Sequence, residues 1–104
     1  MPIVHVLAII TTKPGQREAV LAMFKANIPA VLAEEGCIAY EATIDTESAG
    51  PMQTAFGADT FVVVEKWASL AALGAHAASE HMKAYGASTK DMLADRVIHI
   101  LSPT

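Results

Sequence analysis

From Ile3 to Thr12 the chain is β-branched and apolar with no 3.6-residue period, and Pro14-Gly15 closes the run. Read as a strand, it is apolar on both sides. Ile3, Leu7 and Ile9 fall on one face, and Val4, Val6, Ala8 and Ile10 on the other. Thr60 to Trp67 behaves the same way, with Phe61 and Val63 set against Val62 and Val64. An antiparallel sheet with one wet face shows apolar–polar alternation, so these strands demand cover on both faces. At 104 residues the chain has room for one domain, residues 1–104, whose helices cover a single face. A second copy of the sheet is the simplest cover for the other, which predicts a homodimer with face-to-face sheets.

The remaining elements follow from pattern. Gln16 to about Ala33 places Val20, Met23, Phe24, Ile28 and Val31 at helical steps, with Gly36 beyond the end. Pro29 lies within that helix and is expected to reshape its last turns. Cys37 to Asp45 alternates as a half-buried strand, Ile38, Tyr40, Ala42 and Ile44 on one side. Thr46 to Asp59 reads as a long loop. Ser69 caps a short helix carrying Leu70 and Leu73, and Ser79 caps another with Met82, Tyr85, Thr89 and Met92 on one face. Met23, Met82 and Met92 read as core filler. Arg96 to Leu101 is the last strand. The order β-α-β-β-α-α-β is an α+β, ferredoxin-like split βαβ arrangement: a four-stranded antiparallel sheet with helices on one face.

Charge and cysteine content narrow the partners. Seven Lys and Arg against eleven Asp and Glu give a net charge of −4 and no basic cluster, which argues against nucleic acid and anionic membranes as partners. Cys37 is the lone cysteine, so no internal disulfide forms. The N-terminus lacks the features of a secretory signal, and no apolar run approaches the roughly 20 residues needed to span a bilayer. A cytoplasmic protein is expected.

The chemistry concentrates between Glu65 and Met82. Glu65 and Trp67 share a strand face with Phe61 and Val63, and His76 and His81 follow in the helical region. One parity sends that strand face toward the helices and His76; the other sends it to the sheet interface. A carboxylate, an imidazole and an indole in one apolar cavity suit deprotonation of a flat aromatic substrate. Each residue also has a plainer reading. Trp67 is equally a core aromatic, His76 a helix brace, Glu65 a sheet-edge charge, and His81 an exposed residue near a cap. His5 and His99 read as satisfied core histidines. The spacing of His76 and His81 is one residue too long for the helical zinc pair, and no acidic ligand cluster joins them in sequence. No phosphate loop, dinucleotide fingerprint or redox-cofactor motif is present, so neither a metal nor a cofactor is expected and oxidation would draw on the substrate's own electrons.

Lys13-Pro14-Gly15, Pro29, the run Glu34 to Tyr40, the run Phe61 to Trp67, and the run His76 to Met82 together resemble the antibiotic biosynthesis monooxygenase-like family of the dimeric α/β-barrel superfamily. The resemblance covers nearly the whole chain. It implies a dimeric α/β barrel and oxidation of phenolic or quinol substrates by molecular oxygen without flavin, haem or metal. An apolar pocket suits such chemistry because it shields the anion and radical pair from water while a few donors hold the oxyanion. Trp67 matches the family's active-site tryptophan and His76 a helix histidine of the pocket. The expected catalytic residues are His76 as base and Trp67 as wall and donor; Glu65, Tyr40, Phe61 and His81 are the expected substrate contacts. Polyketide-tailoring members carry an asparagine where this chain has Val62 and Val63, and haem-degrading relatives one in the first strand, whereas the sole asparagine here is Asn27. Those departures point away from anthrones and haem. Other classes consistent with the fold are a cofactor-free isomerase of a small metabolite and a non-catalytic ligand-binding or stress protein.

Overall fold

The two-sided apolar strands occupy the centre of the sheet. In a computed structural model that describes residues 2–104, β1 (Val4–Thr12) lies between β3 (Thr60–Trp67) and β4 (Leu93–Leu101), and β2 (Cys37–Thr43) completes the order β2-β3-β1-β4. Every pairing is antiparallel. Helices α1 (Arg17–Leu32), α2 (Leu70–Ala77) and α3 (Glu80–Thr89) connect the strands, with a 3₁₀ turn at Lys90–Met92 leading into β4. This is the expected α+β, ferredoxin-like fold. Among the described residues no helix is long and apolar enough to cross a membrane.

Burial settles the strand parity. Val4, Val6, Ala8 and Ile10 of β1 and Phe61, Val63 and Trp67 of β3 are buried with Val20, Leu21, Phe24 and Val31 of α1. Removing a side chain such as Phe24 from this layer would cost about 3–5 kcal/mol through lost transfer energy and a residual cavity. Leu7, Ile9, Val62 and Val64 point the other way, are only half-buried, and stand outside the core. His5 and His99 are on that outer face too, half-buried and exposed respectively, so the reading of both as core histidines is corrected. They pair with Leu101 and Leu7, residues of the face that no core residue covers.

Both expected helix caps form: the Ser69 hydroxyl accepts the Ala72 N–H and the Ser79 hydroxyl that of Met82. Helix α1 runs through Pro29 to Leu32, and the Ala33 N–H still reaches the Pro29 carbonyl at 3.2 Å. Strand β2 departs from simple alternation. A register shift between Cys37 and Ala39 turns Cys37 toward the core and Ile38 outward, 49% exposed, because a bulge adds a residue without a partner and flips the parity beyond it. Strand β4 begins three residues earlier than expected, at Leu93 rather than Arg96, and is exposed along nearly its whole length.

Gly36 makes the turn from α1 into β2. Its φ of +85° favours glycine, and a Cβ there would stand 2.6 Å from the Ala72 Cβ of α2. The Ala68 N–H donates to its carbonyl at 2.8 Å. The turn is therefore pressed against the start of α2, which decides what lies beside His76.

Candidate active site

A cavity of about 540 Å³ separates the inner face of the sheet from α2 and α3. Val6, Ala8, Ile10 and Val63 form its floor, while Leu73, His76, Met82 and Tyr85 hang from the helices. On the β4 side Arg96, Ile98 and Ile100 border it, with Ile98 and Ile100 40% and 52% exposed. A volume of this size accepts a small aromatic molecule.

His76 is in the last turn of α2, buried, with its imidazole on the cavity wall. The Ser79 hydroxyl donates to the His76 carbonyl at 2.7 Å while accepting the Met82 N–H in the first turn of α3, so the end of one helix is tied to the start of the next. His76 Nδ1 lies 2.8 Å from Glu34 Oε2, and His81 Nε2 lies 2.9 Å from the same oxygen. A carboxylate accepts only, so both ring nitrogens carry the hydrogen, and Nε2 is the lone-pair nitrogen of neutral His76.

Glu34 follows the C-terminal end of α1, where the helix dipole disfavours an acid, and the two imidazoles offset that. Burial pushes its pKa up, but the hydrogen bonds from His76 and His81 and their charge outweigh this and hold the carboxyl below its usual range. Glu65 is shifted the opposite way. Burial raises its pKa, and the Trp67 hydrogen bond and the nearby His76 and Arg96 charges only partly oppose that. Trp67 Nε1–H donates to Glu65 Oε1 at 2.9 Å. Burial likewise keeps Tyr40 a neutral phenol well above the ordinary range, with Glu65 nearby adding to the effect, and pushes Tyr85 up to about 12.

Of the residues singled out by sequence, His76, Glu65 and Tyr40 line the cavity together. Trp67 does not. It is fully buried behind His76, ring centroids 4.6 Å apart, with its N–H committed to Glu65; the expectation that it forms the wall and donates to substrate is replaced by a role in holding its neighbours. Phe61 is a core residue, packed edge-on against Phe24 and away from this cavity; it borders a separate depression beside the 43–56 segment. His81 stands outside the cavity on the far side of Glu34.

Glu34 and Tyr85 escaped the sequence reading as site residues. Only Glu34 left a signal there, an acid at a helix C-terminal end that needs a cationic or N–H partner. Glu34 also corrects the inference that no acidic residue joins the two histidines. His76 and His81 belong to different helices, so helical spacing does not govern them, and their shared carboxylate comes from 42 and 47 positions away.

The resulting site holds an oriented imidazole, a carboxyl with raised proton affinity, two neutral phenols and apolar walls. Comparison with known proteins places it. The family model described as antibiotic biosynthesis monooxygenase matches residues 3–88. A curated Escherichia coli K12 protein named "Probable quinol monooxygenase YgiN" is 42% identical over 100 residues, covering 94% of this chain and 95% of that one. Among solved structures, PA3566 from Pseudomonas aeruginosa superposes with a TM-score of 0.82 at 25% identity, covering 100% of this chain and 96% of the other. Rv0793 from Mycobacterium tuberculosis gives 0.80 at 26% identity, over 98% and 95%. With fold, length and sequence all in agreement, the chain belongs to the antibiotic biosynthesis monooxygenase family.

Proposed function

We propose that the protein is a cofactor-independent monooxygenase that oxidises a quinol or other electron-rich phenol with molecular oxygen. Family membership supports a monooxygenase in general, and the name of the Escherichia coli relative suggests the quinol class. The observation that carries the reading is the Glu34–His76 pair at 2.8 Å, with the imidazole on the wall of an apolar cavity. Glu34 holds the Nδ1–H, so His76 Nε2 takes the phenolic proton as general base, and Glu34 stabilises the imidazolium that forms. The phenolate then passes one electron to oxygen, giving a semiquinone-type radical and superoxide that react together inside the cavity. Tyr40 and Tyr85 line the cavity as neutral phenols and supply the O–H donors that hold the oxyanion in this reading. Trp67 acts indirectly, as a positioning residue for Glu65 and the His76 ring. Two protomers pack their outer sheet faces together, covering Leu7, Ile9, Val62 and Val64.

Arg96 beside the cavity favours a second reading, a cofactor-free isomerase of a small anionic metabolite. Oxygen uptake by chelator-treated protein over hydroquinones and naphthoquinols, corrected for autoxidation, separates the two. The expected result is uptake that falls at least about a hundredfold in His76→Ala, the lower range for a general base. Unchanged turnover in that variant removes His76 from the mechanism.

A further inference from the structure

The Glu34–His76–His81 cluster contains more than a base and its orienting group need. His81 contributes nothing to the cavity, yet its Nε2 converges on the same Glu34 oxygen that holds His76. The three ligand atoms, one carboxylate oxygen and two imidazole nitrogens, lie within 4.8 Å of one another. They come from three places in the fold: the turn after α1, the last turn of α2 and the first turn of α3. Gly36 against Ala72 and the Ser79 tie between α2 and α3 hold those places together. The cluster reaches solvent on one side, with His81 29% exposed at its side chain and His76 6%.

We propose that Glu34, His76 and His81 form a binding site for a divalent transition-metal cation, zinc being the best match, and that its occupation inhibits the oxygenase. Two imidazoles and a carboxylate are the donor set of open, three-ligand zinc sites, with a fourth position left for water on the exposed side. Ligands about 2.0–2.1 Å from a tetrahedral zinc stand about 3.3 Å apart. The observed 2.8 and 2.9 Å contacts open to that spacing, and the two imidazole nitrogens, within 4.8 Å of each other, come to it, by side-chain rotation as zinc replaces two N–H···O bonds.

The inhibitory part rests on His76 being the base; the binding part does not. Zinc on Nδ1 requires the His76 tautomer that carries its proton on Nε2. The ring keeps its single proton but loses the lone pair that faces the substrate, so the base becomes a hydrogen-bond donor. Neither bond-making nor redox change is involved, and removing the cation restores the free tautomer.

The test is calorimetric titration of the chelator-stripped, full-length protein with zinc chloride, in a buffer that does not bind zinc, with thermal melts alongside. Wild type is expected to take up one zinc per chain and to melt higher when loaded. His81→Ala and Glu34→Gln are expected to bind at least about tenfold more weakly, with their metal-free melts confirming that they fold. Oxygen uptake should fall with zinc and return with EDTA. In His81→Ala, scaled to that variant's own uptake, inhibition should require at least about tenfold more zinc. No binding, or binding equally tight in His81→Ala, overturns the site; the latter would mark adventitious zinc on other histidines. Zinc binding that weakens in His81→Ala and Glu34→Gln, in a protein that takes up no oxygen, supports the site and overturns the oxygenase reading together with the inhibitory part.

Discussion

The two sides of the cavity are built on different principles. On the β3 side, Trp67, Glu65, His76 and Glu34 form a closed relay of contacts, and among the described residues no buried side-chain polar atom lacks a partner. On the β4 side, Ile98 and Ile100 border the cavity with half their surface open, and Val97 and Leu101 are exposed on the opposite face of the same strand. The first wall is complete within one chain. The second is an apolar edge that one chain leaves uncovered; in the function proposed above, substrate would cover its inner face and a second copy its outer face. The closed wall thus holds its polar groups in place within one chain, whereas the open one presents apolar surface that the chain leaves uncovered.

The largest effect should come from breaking the closed wall. Trp67→Ala empties a fully buried site beside His76 and is expected to cost about 3–5 kcal/mol in urea unfolding, with oxygen uptake lost as the imidazole loses its backing. A loss under about 1 kcal/mol would mean that the wall repacks.

Glu65→Gln sharpens the contrast with a smaller change of opposite sign. The amide oxygen keeps an acceptor for Trp67 and removes the ionisation. Folding raises the Glu65 pKa above its ordinary 4.5, so the unfolded chain ionises first as pH rises. The stability that the protonated form confers is full below pH 4.5 and is lost as pH climbs through the folded-state value. The groups facing Glu65 are Trp67, His76, Arg96 and Glu34, and all but Trp67 remain charged or chargeable in the variant. Thermal melts should therefore show Glu65→Gln gaining a few degrees over wild type at pH 7 and no gain at pH 4. Equal gains at both would disconnect the effect from ionisation.

The smallest change in stability belongs to the open side. Ile100→Ala should alter unfolding by no more than about 0.5 kcal/mol, as for exposed positions generally, while raising the KM for an aromatic quinol several-fold through lost apolar contact. A stability loss of core size would show instead that Ile100 is buried in the assembled protein.

Much of the closed wall was legible in sequence because it is written in local signals. Strands apolar on both faces are central strands, Ser69 and Ser79 announce helix starts, and His76 falls at the end of the helix the first of them opens. What escaped depends on distance or parity. Glu34 meets the histidines across 42 and 47 residues, which no periodicity encodes. Trp67 and Glu65 share a face, but whether an indole on it meets solvent or is sealed behind an imidazole depends on helix placement. Ile38 was misplaced because a bulge leaves no mark in the hydrophobic pattern of so short a strand. The open flank was least legible, since an exposed apolar strand and a core strand have the same composition.

Gly36 carries a further consequence for how such a protein drifts and diversifies. The spacing between the carboxylate and the imidazole is set by a missing methyl group, at a residue that touches no part of the cavity. Any side chain there pushes the α1–β2 turn off Ala72 and with it the carboxylate two positions upstream. A residue outside the cavity lining thus bears on the geometry inside it, and a survey of lining residues alone would overlook it.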